Sequence, residues 1–176
     1  MAASVDNIKT LRELTSCGVI DCKRALEKAG GDLEKAKKIL QERGLELAAK
    51  KGSREAKEGR VEAYVHMGNK IAVLVEVNCE TDFVARNEDF RIFAKDVAMH
   101  IAALNPQYLK EKDVPKDILK KAEDKEVFIK ENCLMNQIFV KDSSKSIQEY
   151  LNTLIAKIGE NIKIRRFVRY KVGEIE

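Results

Sequence analysis

The hydrophobic period of this 176-residue chain changes near Arg60, and that change limits the possible folds more than any other feature. Before it, apolar residues recur every three or four positions between glycines. Val5, Ile8, Leu11 and Leu14 make one run, and Gly18 after them suits a left-handed backbone. A second run, Val19 to Ala29, ends at Gly30-Gly31. A third carries Leu33, Ala36, Ile39 and Leu40; Asp32 can cap it and Gly44 can close it. Residues 1–44 therefore predict a small three-helix module. Residues 45–59 are charged, Ala-rich and aperiodic after Ala49, which predicts a partly helical linker.

From Arg60 the period is two. Val61, Ala63 and Val65 alternate with polar residues, Gly68-Asn69 supplies a hairpin turn, and Ile71 to Cys79 continues as a mostly buried strand. Residues 81–104 then read as one long helix ending at Asn105-Pro106. A charged helix is expected from about Pro115 to Met135, and Asn136 to Val140 is a short strand candidate. Ser146-Ile147-Gln148-Glu149 is a capping box that opens a helix ending at Gly159. Ile162 to Val172 is a last strand, whose alternation shifts at Arg165-Arg166 as a bulge would make it. Residues 60–176 should thus form an α+β core, a small antiparallel sheet with helices on one face.

Composition narrows the function. Charged residues make up 35% and hydrophobic ones 44%, enough for a packed core under a charged surface. The net charge of +4 is no general argument for nucleic-acid binding. No apolar stretch is long enough to span a membrane, and the N-terminus lacks the pattern of a secretion signal, so a cytosolic protein is expected. Cys17, Cys22, Cys79 and Cys133 form no Cys-x-x-Cys pair and, with only His66 and His100, predict reduced thiols and no metal site. Neither a phosphate-binding glycine loop nor a nucleophile elbow is present, and the nine glycines are scattered as helix ends and turns. The chain is expected to be no enzyme and to bind no nucleotide or cofactor itself.

The informative stretch is Asn78-Cys79-Glu80-Thr81-Asp82-Phe83-Val84-Ala85-Arg86-Asn87. An apolar strand ends, and a polar turn delivers Asp82 and Phe83 to a helix start. One reading is structural: Thr81 caps the helix, Asp82 favours the positive end of its dipole, and Phe83 joins the core. The other makes Phe83 a wedge for a partner protein.

Thr81-Asp-Phe-Val-Ala-Arg-Asn87 after an apolar strand resembles the signature of the elongation factor Ts family. Two other regions resemble it in the right order. Residues 15–26 with Gly30-Gly-Asp-Leu-Glu-Lys-Ala36 are similar to the family's N-terminal module, which is like a ubiquitin-associated (UBA) domain. Residues 158–169 are similar to its C-terminal strand. The resemblance implies a guanine nucleotide exchange factor that binds elongation factor Tu and promotes GDP release. The Asp-Phe pair, Asp82 and Phe83 here, would enter the partner's nucleotide domain, with Thr81 beside it. Arg12, Val19, Ile20 and Lys23 match the N-terminal module's contacts, and His66 matches a contact histidine of the family core. Two departures stand out. The loop usually read as Thr-Gly-Ala-Gly is Thr15-Ser16-Cys17-Gly18, and the core is a single, short one, lacking a Lys-Pro-containing helical segment between Asp113 and Gln137. Short members of the family dimerise, so the resemblance implies a homodimer. Two other classes compete: an adaptor built on the N-terminal module, which leaves everything after residue 60 unexplained, and an RNA-binding strand using Arg165, Arg166, Arg169 and Lys171 with Phe167 and Tyr170.

Overall fold

The computed structural model describes residues 4–15 and 17–174. The chain divides into two compact units, Met1–Glu55 with Leu151–Asn161, and Ala56–Tyr150 with Ile162–Glu176.

The first unit contains α1 (Val5–Thr15), α2 (Val19–Lys28) and α3 (Leu33–Lys51), together with all but the first turn of α8 (Ile147–Ile158). Leu11, Cys22, Ala25, Leu26, Ala36 and Leu40 form its buried centre, with Ile8, Cys17, Ala29, Leu33 and Ile39 packed around them. Of the apolar run on α1, only Leu11 is buried; Val5 and Leu14 are exposed. A strict spacing of three falls short of the 3.6-residue turn, so four such positions drift around half the helix and cannot share one face. Asp32 caps α3 as expected, its carboxylate accepting from the Lys35 N–H at 3.0 Å. Two glycines behave differently from the sequence reading. Gly18 is the extended N-cap of α2, with φ −64°. Gly44 does not close α3, which runs on to Lys51, so the first half of the expected linker is helix. Gly44 is buried, and a Cβ there would sit 3.6 Å from the Asn152 carbonyl oxygen, an ordinary contact.

The second unit is a three-stranded antiparallel sheet, β1 (Glu58–Val65), β2 (Ile71–Cys79) and β3 (Lys163–Lys171), in the order β1-β2-β3. Gly68 and Asn69 both take positive φ in the β1–β2 turn, 84° and 55°. At Gly59, φ is 143° and a Cβ would meet the Val77 carbonyl oxygen at 2.2 Å, so only glycine fits where β1 begins beside β2. The β2–β3 register shifts between Glu76, opposite Arg166, and Val77, opposite Ile164, which leaves Arg165 as the bulge the sequence suggested.

Residues 81–104 are two helices, α4 (Asp82–Arg86) and α5 (Glu88–Leu104), separated by the extended Asn87. The Asn87 side-chain oxygen accepts from the N–H groups of Asp89 (2.9 Å) and Phe90 (3.4 Å), which starts α5 afresh. α5 buries Phe90, Phe93, Ala94, Val97, Ala98 and Ile101, and Val73, Val75 and Val77 are buried on the sheet face it covers. Residues 115–135 are likewise two short helices, α6 (Lys116–Lys121) and α7 (Lys125–Asn132), and Asp124 caps the second. The strand candidate at residues 136–140 is reduced to a single bridge, Ile138 to Ser146. The Ser146–Glu149 capping box forms in both directions, at 3.2 and 2.7 Å.

Candidate functional site

The signature stretch folds into a sharp corner. Cys79, wholly buried at the end of β2, donates its thiol to the Thr81 carbonyl at 3.1 Å. Thr81 then caps α4, its hydroxyl accepting from the Val84 N–H at 3.4 Å. Five residues make a helix of little more than one turn, too short to persist on propensity alone. It is held by that cap, by a 2.9 Å ion pair from Asp82 to Arg86, and by packing against β1, β2 and α5. The ion pair is exposed and contributes a few tenths of a kcal/mol at most.

Phe83 projects from this turn with 80% of its surface exposed. The reading that places it in the core is therefore overturned. An i,i+7 relation to Phe90 would bury it on a continuous helix, but the Asn87 break turns it outward. Thr81 and Asp82 flank it, both half-buried. The corner presents an exposed aromatic side chain next to a carboxylate, on a capped turn.

His66 lies beyond the end of β1, exposed, with the Tyr64 hydroxyl 3.1 Å from its Nδ1. Arg12, Val19, Ile20 and Lys23 belong to the helical unit and are all exposed. Val19 and Ile20 start α2 at 51% and 66% exposure, and Lys23 pairs with Glu27 at 4.0 Å. Leu14, at the end of α1, is also exposed.

A second feature escaped the sequence. The face of the sheet away from α5 carries two apolar rows beside a charged one, in which Val61 lies next to Glu76 and Glu76 pairs with Arg166 at 2.7 Å. Ala63, Leu74 and Val168 sit side by side across the three strands, as do Val65, Ala72 and Tyr170. Val61, Val65, Leu74, Val168 and Tyr170 are all exposed. The covered face of β1 instead carries Arg60 and Glu62, ion-paired at 2.7 Å. The signal was present: Val61, Ala63 and Val65 alternate with Arg60, Glu62 and Tyr64, but alternation does not say which face is covered.

His100 is wholly buried and neutral. Its Nδ1 accepts from the Val140 N–H (3.2 Å), so Nε2 carries the proton and donates to Gln137 Oε1 (3.0 Å). Burial holds its pKa below the ordinary 6.5. Among the described residues, no group of three or more His, Cys, Asp or Glu side chains could hold a metal ion, and no helix is long and apolar enough to cross a membrane.

The family model described as Elongation factor TS matches residues 34–127 and 125–174. The chain belongs to the elongation factor Ts family. It is therefore a translation elongation factor by family. An elongation factor Ts of Caldanaerobacter subterraneus subsp. tengcongensis is 48% identical over 194 aligned residues, covering 97% of each chain. One of Thermodesulfovibrio yellowstonii is 46% identical over 198, covering 100% of this chain and 99% of that one. One of Desulforamulus reducens is 48% identical over 97% of this chain and 89% of its own. The two matched pieces meet where α7 begins.

Proposed function

We propose that this chain is a guanine nucleotide exchange factor for elongation factor Tu, with the Asp82-Phe83 corner as its working part. The observation that carries the reading is Phe83 itself, 80% exposed on a capped turn inside the family's signature. An exposed aromatic side chain on a capped turn is an element for a partner to bury.

The mechanism is linkage. If the chain binds nucleotide-free elongation factor Tu more tightly than the GDP form, it lowers GDP affinity by the same factor. Phe83 wedges between helices of the partner and disturbs the groups that hold magnesium and the GDP phosphates. Burying a Phe side chain yields about 1.5–3 kcal/mol, which corresponds to roughly tenfold to a hundredfold in GDP affinity if the contact exists only in the opened partner. GTP then binds and displaces the factor. Arg12, Val19, Ile20 and Lys23 supply a second contact set from the helical unit, and His66 a further one from the hairpin. The chain itself catalyses no covalent step, binds no nucleotide, nucleic acid or membrane, and works in the cytoplasm. A helical module at residues 1–44, a linker at 45–59 and a core at 60–176 are part of the same proposal.

The working species is a homodimer. The exposed apolar rows of the sheet support this: each copy offers the same rows, as a twofold interface requires, and a chain that stays alone leaves those valines and Leu74 in water. The direct test of the exchange reading is release of fluorescent GDP from elongation factor Tu, which should be faster with this chain than without it. An unchanged rate contradicts the reading.

A further inference from the structure

Gly18 is the N-cap of α2, so Cys17 stands one residue before the cap and Cys22 is the fourth residue of the helix. Side chains at those two positions pack together across a helix's first turn, usually as a pair of aliphatics. Here both are thiols. Cys22 is wholly buried, and Cys17 is half-buried against the same core. Cys22 Sγ lies 3.8 Å from the Cys17 carbonyl oxygen and 4.0 Å from Thr15 Oγ1, while Cys17 Sγ lies 3.6 Å from the Thr15 carbonyl oxygen. The two sulfurs thus gather around one short stretch of backbone. Cys79 and Cys133 belong to the other unit, where both are buried.

We propose that Cys17 and Cys22 are a modification site, a thiol pair that a low-molecular-weight disulfide oxidises to an intramolecular disulfide. The Cys17 thiolate attacks one sulfur of the small disulfide, forming a mixed disulfide and releasing one small thiolate. Cys22 then attacks Cys17 Sγ, closing the Cys17–Cys22 bond and releasing the second small thiol. The protein loses two electrons and two protons, and the small disulfide gains them. The order follows from exposure. Cys17 is the more accessible, and burial holds the Cys22 thiol above its ordinary pKa despite its contact with Thr15, so Cys22 is the resolving partner. In a reducing compartment such a bridge is transient, as a sensor's would be. The ring it closes contains Val19 and Ile20, so oxidation fixes the turn that carries them. That consequence rests on the exchange reading; the thiol chemistry does not.

Full-length protein is treated with oxidised glutathione, remaining thiols are alkylated, and tryptic peptides are weighed. Cleavage after Arg12 and Lys23 leaves both cysteines on one peptide, residues 13–23. The proposal expects that peptide unalkylated and lighter by two hydrogens than its reduced form, while Cys22→Ser protein stops at a glutathione adduct on Cys17. A lasting adduct on the unmutated protein, alkylation of both thiols, or a bridge to Cys79 or Cys133 overturns it. GDP release by the oxidised protein is a separate reading. A changed rate supports the link to Val19 and Ile20, and an unchanged rate with the disulfide proven refutes that link alone.

Discussion

Phe83 and Phe90 stand seven residues apart, about two helical turns, yet Phe83 is 80% exposed and Phe90 is wholly buried. One residue separates their fates. Asn87 leaves the helical region with φ −62° and ψ 139°, ends α4 and caps α5. Without that break the signature aromatic would continue the buried stripe of α5.

Asn87→Ala should therefore lower stability by about 1 kcal/mol, the usual cost of losing a helix N-cap. Asn87→Asp keeps the acceptor and should recover most of it. Urea denaturation of both variants measures this. Equal stability of Asn87→Ala and the unmutated protein would show that the cap does not hold the break.

The bare sheet face makes a second expectation. Val168→Glu places a charge beside Leu74 in the centre of that face, where Val168 is already 37% exposed in the single chain. The fold should survive, because an exposed position loses little burial on substitution. The pairing should not, because burying an added carboxylate at an interface is costly. Sedimentation at micromolar concentration should fall from about twice the chain mass of 19.9 kDa to that mass. A monomer before mutation, or a dimer after it, contradicts the assignment of this face.

His100 gives the protein an acid limit. Its folded pKa is depressed by burial below the ordinary 6.5, so the unfolded chain takes up a proton that the folded one refuses. Its contribution to stability is complete above pH 6.5 and is lost as pH falls from there towards the lower folded value. The loss is at most about 1.4 kcal/mol per pH unit. Urea denaturation between pH 7.5 and 5.5 should show that slope in the unmutated protein and much less of it in His100→Gln. The same slope in both would assign it to other groups.

How far the sequence could be read depends on whether the signal is local. The Asp32 cap, the Ser146–Glu149 box, the Gly68-Asn69 turn and the bulge at Arg165 each use chemistry within a few residues, and each is where the sequence puts it. Asn87 was also local, an asparagine followed by Glu88 and Asp89, but the apolar stripe on both sides of it concealed the cap. Gly44 reads as a stop because glycine weakens a helix by about 1 kcal/mol. The buried position it occupies beside Asn152 and Ala156 is a tertiary fact with no local signature. The outward face of β1 is harder still, since alternation fixes two faces without saying which one is covered. Asp82 and Phe83 could be named as candidates from the signature stretch alone. The exposure of Phe83 was not legible there.

Phe83→Ala tests the central claim most directly. Release of fluorescent GDP from elongation factor Tu is measured with unmutated and variant protein, and the melting temperature of each is recorded. The account predicts a release rate lower by about tenfold or more, from the lost burial of one Phe side chain in the complex, with the melting temperature nearly unchanged because Phe83 is already in solvent. Stimulation at the unmutated rate would contradict the wedge, and a large drop in melting temperature would contradict the exposed position on which it rests.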